Sequence, residues 1–256
     1  MTSSGCSASG LSTGNPLTEP PINPQPAAMK IAPRLIPGRF IRRDNRFLAA
    51  VEVEERLSWA HVRSSARMDE LLVPGRHIFL SPSGAPGRKT DYTLALVQFG
   101  DILVSVDATL PNRLIHEALL HGGLEPFSGY GSIRREAVHG RSRFDFRLQN
   151  TEDCLLEVKS VTLVREGVAM FPDAPSLRGR KHVKELAAAL KAGFRCAVVF
   201  VIQRYDGKYF APNDAADPGF GAALRQAAAA GVEIYALACA IGDNHIRMDR
   251  WMSVKL

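Results

Sequence analysis

Hydrophobic and polar positions along this chain fall into three regimes. Residues 1–28 show almost no apolar periodicity and are rich in Ser, Gly and Pro. That pattern predicts a disordered leader, or an over-extended start with Met29 as the initiator. From Ile31 to Thr109, short β-prone runs follow one another without a helical stretch between them: "GRFIRRDNRFLAAVEV", "LSWAHVRSS", "GRHIFLSPS" and "TDYTLALVQFGDILVSVDA". Gly, Pro and Ser clusters separate them, as in a small sandwich or barrel, and the length fits a five-stranded oligonucleotide-binding-type β-barrel.

The period changes at "ATLPNRLIHEALLHGG". Thr109 is placed to cap a helix, Pro111 suits its first turn, and Gly122 with Gly123 ends it. Leu114, Ile115, Ala118 and Leu119 form the apolar stripe. Strands are expected near 132–139, 143–148 and 154–164, then a helix over 178–191. "RCAVVFVIQR" and "VEIYALACAI" read as strands apolar on both faces, with the helix "GFGAALRQAAAAG" between them. The order α-β-β-β-α-β-α-β predicts an α/β domain with a mixed sheet flanked by helices. The expected division is a leader over 1–29, a barrel over 30–108 and the α/β domain over 109–256, an α+β or mixed fold class overall.

Charge interrupts this pattern where core is expected. In "SRFDFRLQNTEDCLLEVKSVTLV", residues 142–164, Asp145 sits between Phe144 and Phe146. Glu157 and Lys159 share one face of the following strand, since side chains alternate along it. Buried charges cost several kcal/mol unless they are paired or hold an ion. Glu117 borders the stripe of the first helix. If the strands pair and that helix covers them, Glu117, Asp145, Glu157 and Lys159 converge. Such a set suits Mg²⁺ or Mn²⁺, with Glu117, Asp145 and Glu157 as ligands and Lys159 orienting an attacking water. A structural ion-pair cluster accounts for the same residues.

Composition narrows the classes. Lys and Arg number 32 against 26 Asp and Glu, and this mild excess favours an anionic partner. No apolar run approaches the ~20 residues of a membrane span, and the N-terminus lacks a secretory signal, so a cytoplasmic location is expected. Cys6, Cys154, Cys196 and Cys239 form no ligand cluster and are read as reduced.

The helix Glu, strand Asp and Glu-x-Lys set resembles the PD-(D/E)xK nuclease core, with order α-β-β-β-α-β. The longer stretches "TLPNRLIHEAL", "SRFDFRL" and "LLEVKSVTLVREGVAMFPDAPSLRGRKHVKEL" closely resemble the sugar fermentation stimulation protein A (SfsA) family, from about Arg39 to Ala240. This resemblance implies an oligonucleotide-binding-type barrel joined to a nuclease-like domain, and DNA binding as the activity. It places Asp145, Glu157 and Lys159 in the nuclease motif and Glu117 as the helix acid, with Glu136 the alternative. The chain departs from the family where Arg63-Ser64-Ser65-Ala66 stands in place of a Pro-Asn-Thr/Ser-Gly turn.

Two basic groups offer phosphate contacts. Arg178, Arg180, Lys181 and Lys184 open a helix whose macrodipole does not favour cations there. Arg39, Arg42, Arg43 and Arg46 accompany Phe40 and Phe47, a pairing suited to single-stranded or distorted nucleic acid. A solvated helix face and a basic edge strand remain the structural alternatives. His182 is placed either to pack on the core or to point to the site. The expected function is DNA binding with a metal-dependent nuclease-like site. A non-catalytic regulatory DNA-binding protein and an RNA-binding or RNA-processing factor are the alternatives.

Overall fold

The computed structural model describes residues 28–83, 90–242 and 244–256. Most of the expected leader, residues 1–27, lies outside that set, as does Cys6. Strand β1 (Met29–Lys30) opens the described chain. The strands β2 (Ile36–Asn45), β3 (Leu48–Val53), β4 (Arg56–Val62), β5 (His77–Pro82) and β6 (Tyr92–Phe99) then form a closed five-stranded barrel, with β7 (Ile102–Ser105) paired to β6. A parallel pairing of β4 with β6, Ala60 opposite Tyr92, closes the ring. Alternate residues fill it: Phe40, Val51, Ala60, Val62, Ile78, Leu80 and Leu94 are all buried. Gly38 lets β2 approach β3, because a Cβ there would lie 2.7 Å from the Glu52 carbonyl oxygen. The expected oligonucleotide-binding-type barrel is what the alternation builds.

The second unit contains α1 (Leu110–Leu120), β8 (Ser132–His139), β9 (Ser142–Gln149), β10 (Cys154–Val161), β11 (Leu163–Arg165), β12 (Val168–Phe171) and α2 (Leu177–Leu190). It continues with β13 (Arg195–Ile202), β14 (Tyr209–Pro212), α3 (Pro218–Ala229), β15 (Glu233–Gly242) and β16 (His245–Val254). The strands order as β11-β12-β14-β16-β15-β13-β10-β9-β8, with β1 attached to β16. At the centre, β10, β13 and β15 run parallel, and β13 and β15 are largely apolar on both faces, as expected for a sheet covered by helices. Helix α1 packs Leu110, Leu114 and Ile115 on one face, against Phe146, Leu156, Val199 and Leu237. Helices α2 and α3 cover the other with Val183, Leu186, Phe220 and Leu224.

Three local expectations change. Met29 is not leader: it pairs with Ile246 and is buried in the α1-side core. Thr109 makes no side-chain cap. Its hydroxyl and its N–H both donate to Asp107 Oδ1, at 2.6 and 2.8 Å, so Asp107 organises the entry to α1. The strands β12, β14 and β16 extend the sheet beyond the expected order. Cys154, Cys196 and Cys239 are buried free thiols. No helix among the described residues is long and apolar enough to cross a membrane.

The two units meet through several contacts. Ser105 N–H donates to the Gln203 carbonyl at 3.3 Å, and Gln203 Nε2 donates to that of Asp107 at 3.2 Å. The buried Arg204 guanidinium lies 4.6 Å over the Phe99 ring. Met68, with φ of +56°, donates its N–H to Asp173 Oδ2 at 3.1 Å.

Candidate functional site

The site begins as a fork between two strands. β9 and β10 pair from Leu148–Cys154 to Phe146–Leu156, and there the ladder stops. The next N–H, that of Val158, donates to Asp145 Oδ2 at 2.8 Å instead of to a carbonyl. Asn112, on the first turn of α1, donates from Nδ2 to Asp145 Oδ1 at 2.6 Å. Both carboxylate oxygens are thereby oriented by donors that carry no charge.

Glu157 and Lys159 leave β10 on the α2 side. Lys159 Nζ pairs with Glu157 Oε1, and His182 Nδ1 of α2 lies 2.5 Å from the same oxygen. Glu157 Oε2 is buried without a partner. Burial alone would raise this carboxyl, yet Lys159 and His182 hold it below the usual carboxylate value. Asp145 moves the other way. Burial, then the Glu157 charge, push it up to about 6, although Val158, Lys159 and Asn112 oppose the shift.

These groups line a cavity of about 410 Å³. Its floor is Asp145, Glu157, Lys159 and Ser160; Asn112 and Asp173 stand at the side, and Arg46 and Arg178 at the rim. The barrel supplies the roof, Ser64–Ala66. Arg43 holds that roof by donating to the carbonyls of Ser64, Ala66, Arg67 and Arg46.

The sequence-derived residues therefore divide. Asp145, Glu157 and Lys159 come together as expected. Glu117 does not line the cavity. It lies five residues beyond Asn112, about 140° further round the helix, and α1 covers the sheet face opposite Glu157 and Lys159. Among the described residues no group of three or more His, Cys, Asp or Glu forms a ready metal-ligand set. Glu136, with φ of +50°, is exposed on β8 and pairs with Arg143.

The cations divide too. Arg46, Arg178 and Lys184 are exposed, and the first two reach the cavity. Arg39 donates to the Gly75 carbonyl, and Arg42 pairs with Asp44 at 2.8 Å while remaining largely exposed. Lys181 donates to the Arg141 carbonyl at 2.7 Å. Arg43 is committed to backbone carbonyls, and Arg180 to Asp217 at 2.6 Å. Asp217 also caps α3 and accepts from Ser176 N–H, so Arg180 ties two helix starts together. Phe40 is buried in the barrel, whereas Phe47 is half exposed.

Sequence reasoning did not find Asn112 or Asp173. Asn112 carries no charge and precedes the apolar stripe, so nothing marked it. Asp173 lies in a Pro-rich loop, where carboxylates are ordinary.

Comparison with known proteins accords with this architecture. Residues 41–106 match the SfsA N-terminal OB domain, and residues 109–245 match the sugar fermentation stimulation protein RE domain. The sugar fermentation stimulation protein homolog of Desulforamulus reducens is 48% identical over 227 residues, 88% of this chain and 95% of that one. The homolog from Moorella thermoacetica is 44% identical over 231 residues, covering 89% and 100%. Among solved structures, Pyrococcus furiosus SfsA in complex with Ca²⁺ superposes with a TM-score of 0.83 at 31% identity, over 90% of this chain and 100% of that one. Matched in both domains and across nearly its whole described length, this chain belongs to the sugar fermentation stimulation protein (SfsA) family.

Proposed function

We propose that this protein binds nucleic acid, DNA in the first instance, and that its cavity acts on phosphodiesters with a divalent cation of the Mg²⁺ or Mn²⁺ class. The observation carrying this reading is a deficit of positive charge at a buried carboxylate pair. Glu157 Oε2 is buried without a partner, and burial together with the Glu157 charge pushes Asp145 up to about 6 despite the nearby Lys159 ammonium. Two carboxylates in a cavity open to solvent and phosphate suit a hard ion that keeps several waters. The Ca²⁺ named with the Pyrococcus furiosus relative is of the same oxygen-seeking class.

Asp145 and Glu157 would hold the ion, whose contribution when bound is to stabilise charge developing on a phosphate oxygen. Asn112 and the Val158 N–H fix the Asp145 carboxylate, so it needs no reorganisation on binding. His182 does the same for Glu157 from the α2 side. Lys159 reaches the cavity beside Glu157, where its ammonium positions water or a non-bridging phosphate oxygen. Arg46 and Arg178 at the rim hold flanking phosphates as positioning contacts.

A second reading, a regulatory binder with a vestigial nuclease core, is favoured by one fact: Lys159 and His182 already satisfy Glu157 Oε1. Incubation of the full chain with single-stranded, duplex and flapped DNA, with Mn²⁺, Mg²⁺ or chelator, separates the two. Metal-dependent cleavage supports the enzyme. DNA left intact at binding saturation with Mn²⁺ sinks it and leaves the binder.

A further inference from the structure

We propose that a second cavity, between the barrel and the first turn of α1, binds the phosphate dianion of a small molecule. Its volume is about 610 Å³, larger than that of the carboxylate cavity and within the ~300–1,000 Å³ of small-molecule sites. The site stands independently of the nucleic-acid reading.

Three elements wall it. The outer faces of β5 and β6 supply Ser81, Thr93 and Ala95, which alternate with Leu80 and Leu94 of the barrel core. The segment after β1, residues 31–33, forms the second wall, and Asn244 fixes it. The Asn244 carbonyl accepts the Ile31 N–H at 2.9 Å. Its side chain accepts the Ala32 N–H at 3.2 Å and donates to the Ala32 carbonyl at 2.7 Å. Arg63, just after β4, and Arg113, on the first turn of α1, complete the enclosure. A wall already built spares a ligand much of the ordering cost of binding.

The charge of this cavity suits an anion. Lys30, Arg63 and Arg113 line it against a single carboxylate, Asp107. That carboxylate is already occupied: Oδ1 accepts from the Thr109 N–H and hydroxyl, and Oδ2 from Arg63 Nη1 at 3.1 Å. Among the described residues, Arg63 makes no other side-chain hydrogen bond, and Lys30 and Arg113 have no ion-pair partner. Ser83 Oγ, in the same lining, is buried without a partner. Guanidinium, ammonium and hydroxyl donors around one space match a phosphate dianion. A phosphodiester suits it less, since it carries one charge and needs two exits, whereas Thr93, Ala95 and Asp107 are buried at the closed side. Ile31, Ala32 and Pro33 leave an apolar surface for a single organic substituent.

The two cavities share a wall. Arg63 and Asp107 line this one, while their chain neighbours Ser64 and Ala108 line the carboxylate cavity. The Ala108 N–H joins the two segments by donating to the Arg63 carbonyl at 3.0 Å. A phosphate that fixes Arg63 therefore stiffens the roof over Asp145, so a phosphorylated small molecule adjusts the first cavity from behind.

Thermal melts of the full chain at matched ionic strength and about pH 8, where phosphate monoesters are dianions, test this. The probes are inorganic phosphate, glycerol 2-phosphate and, as the diester, dimethyl phosphate. The two dianions should raise the melting temperature and the diester should not, because a ligand of the folded state stabilises it. Arg113→Ala, at an exposed position, should leave the ligand-free melt unchanged and weaken phosphate binding on the order of tenfold. Ser83→Ala should weaken it on the order of threefold. Tighter binding of glycerol 2-phosphate assigns the site to an organic phosphate, and equal or tighter binding of inorganic phosphate assigns it to the free ion; both uphold the dianion. Amide hydrogen exchange locates it, with slowing expected in segments 30–33, 63–66 and 107–109. Slowing over 145–160 instead, a rise shared by dimethyl phosphate or undiminished in Arg113→Ala, or no rise at all overturns the site.

Discussion

Asn112 and Asp145 meet across 2.6 Å, helix side chain to strand carboxylate, at the one place where α1 reaches the cavity. A neutral amide thus stands where the charge pattern pointed to a helix carboxylate. Restoring the acid at this position should expose the electrostatics of the site. Asn112→Asp sets a third negative charge against Asp145 and Glu157, so the metal-free protein should lose about 1–3 kcal/mol. Mn²⁺ should then raise its melting temperature by more than it raises that of the unmodified protein, because tighter binding to the folded state stabilises it further. Thermal melts with and without Mn²⁺ provide the measurement, and an equal rise in both would contradict the proposed metal position.

Asp145 predicts a pH dependence of opposite sign to that of an ion-paired acid. Its folded-state value is raised, so folding favours the protonated form and no penalty exists below an unfolded value near 3.8. As pH rises through about 6 the penalty grows to about 3 kcal/mol, the scale of a shift of this size. Glu157, held low, contributes in the other sense, and its stabilisation is lost only as pH falls below its unfolded value near 4.5. Asp145→Asn should therefore raise metal-free stability at pH 8 and flatten the profile between about pH 4 and 6. Denaturant unfolding across that range reads both effects; an unaltered slope would contradict the buried-carboxylate assignment.

Lys159→Met separates chemistry from binding. It keeps much of the apolar stem and removes the ammonium. Metal affinity should persist, DNA affinity should stay within about tenfold, and cleavage should fall on the order of a hundredfold or more. Single-turnover rates at saturating DNA give the test, and a variant as fast as the parent would remove Lys159 from the reaction.

His182 is a buried partner of a buried charge. His182→Ala removes it and opens a cavity beside Phe144, so the fold should lose about 3 kcal/mol. Equilibrium unfolding decides this, with a loss under about 1 kcal/mol showing that Lys159 alone satisfies Glu157.

The cations sort by what already holds them. Arg46→Ala and Arg178→Ala should each flatten the salt dependence of DNA binding by about one unit and leave stability unchanged. Arg43→Ala and Arg180→Ala should instead lower the melting temperature, since their guanidiniums join loop carbonyls and Asp217. Titrations at several salt concentrations, paired with melts, check the division.

Much of this was legible in the chain. The barrel strands, the three helices and the central strands follow from period and punctuation. So does the pairing of Glu157 with Lys159, since a two-residue spacing fixes a shared strand face. Other features depend on contacts no local pattern encodes. β14 has four residues, and β16 interleaves Arg247, Asp249 and Arg250 with its buried Ile246, Met248 and Trp251. Glu117 borders an apolar stripe, but spacing alone could not tell which flank of α1 would face Asp145. The commitment of Arg43 and Arg180 likewise depends on carbonyls and a carboxylate that only the folded chain brings near.

The pairing of β1 with β16 has a mechanical consequence. The barrel leaves and re-enters the second domain, anchored on one side by Met29 paired beside Ile246 and on the other by the passage from β7 into α1. A module fastened at one point can swing on a single linker; one fastened at two can only rock about the line joining them. The Met68–Asp173 hydrogen bond adds a further tie beside the roof residues Ser64–Ala66, so the roof is held over Asp145 from more than one side. During synthesis the barrel, whose strands are neighbours in sequence, completes itself first. Its first anchor waits for residues 245 and 246, so the cavity acquires its fixed roof only when nearly the whole chain is present.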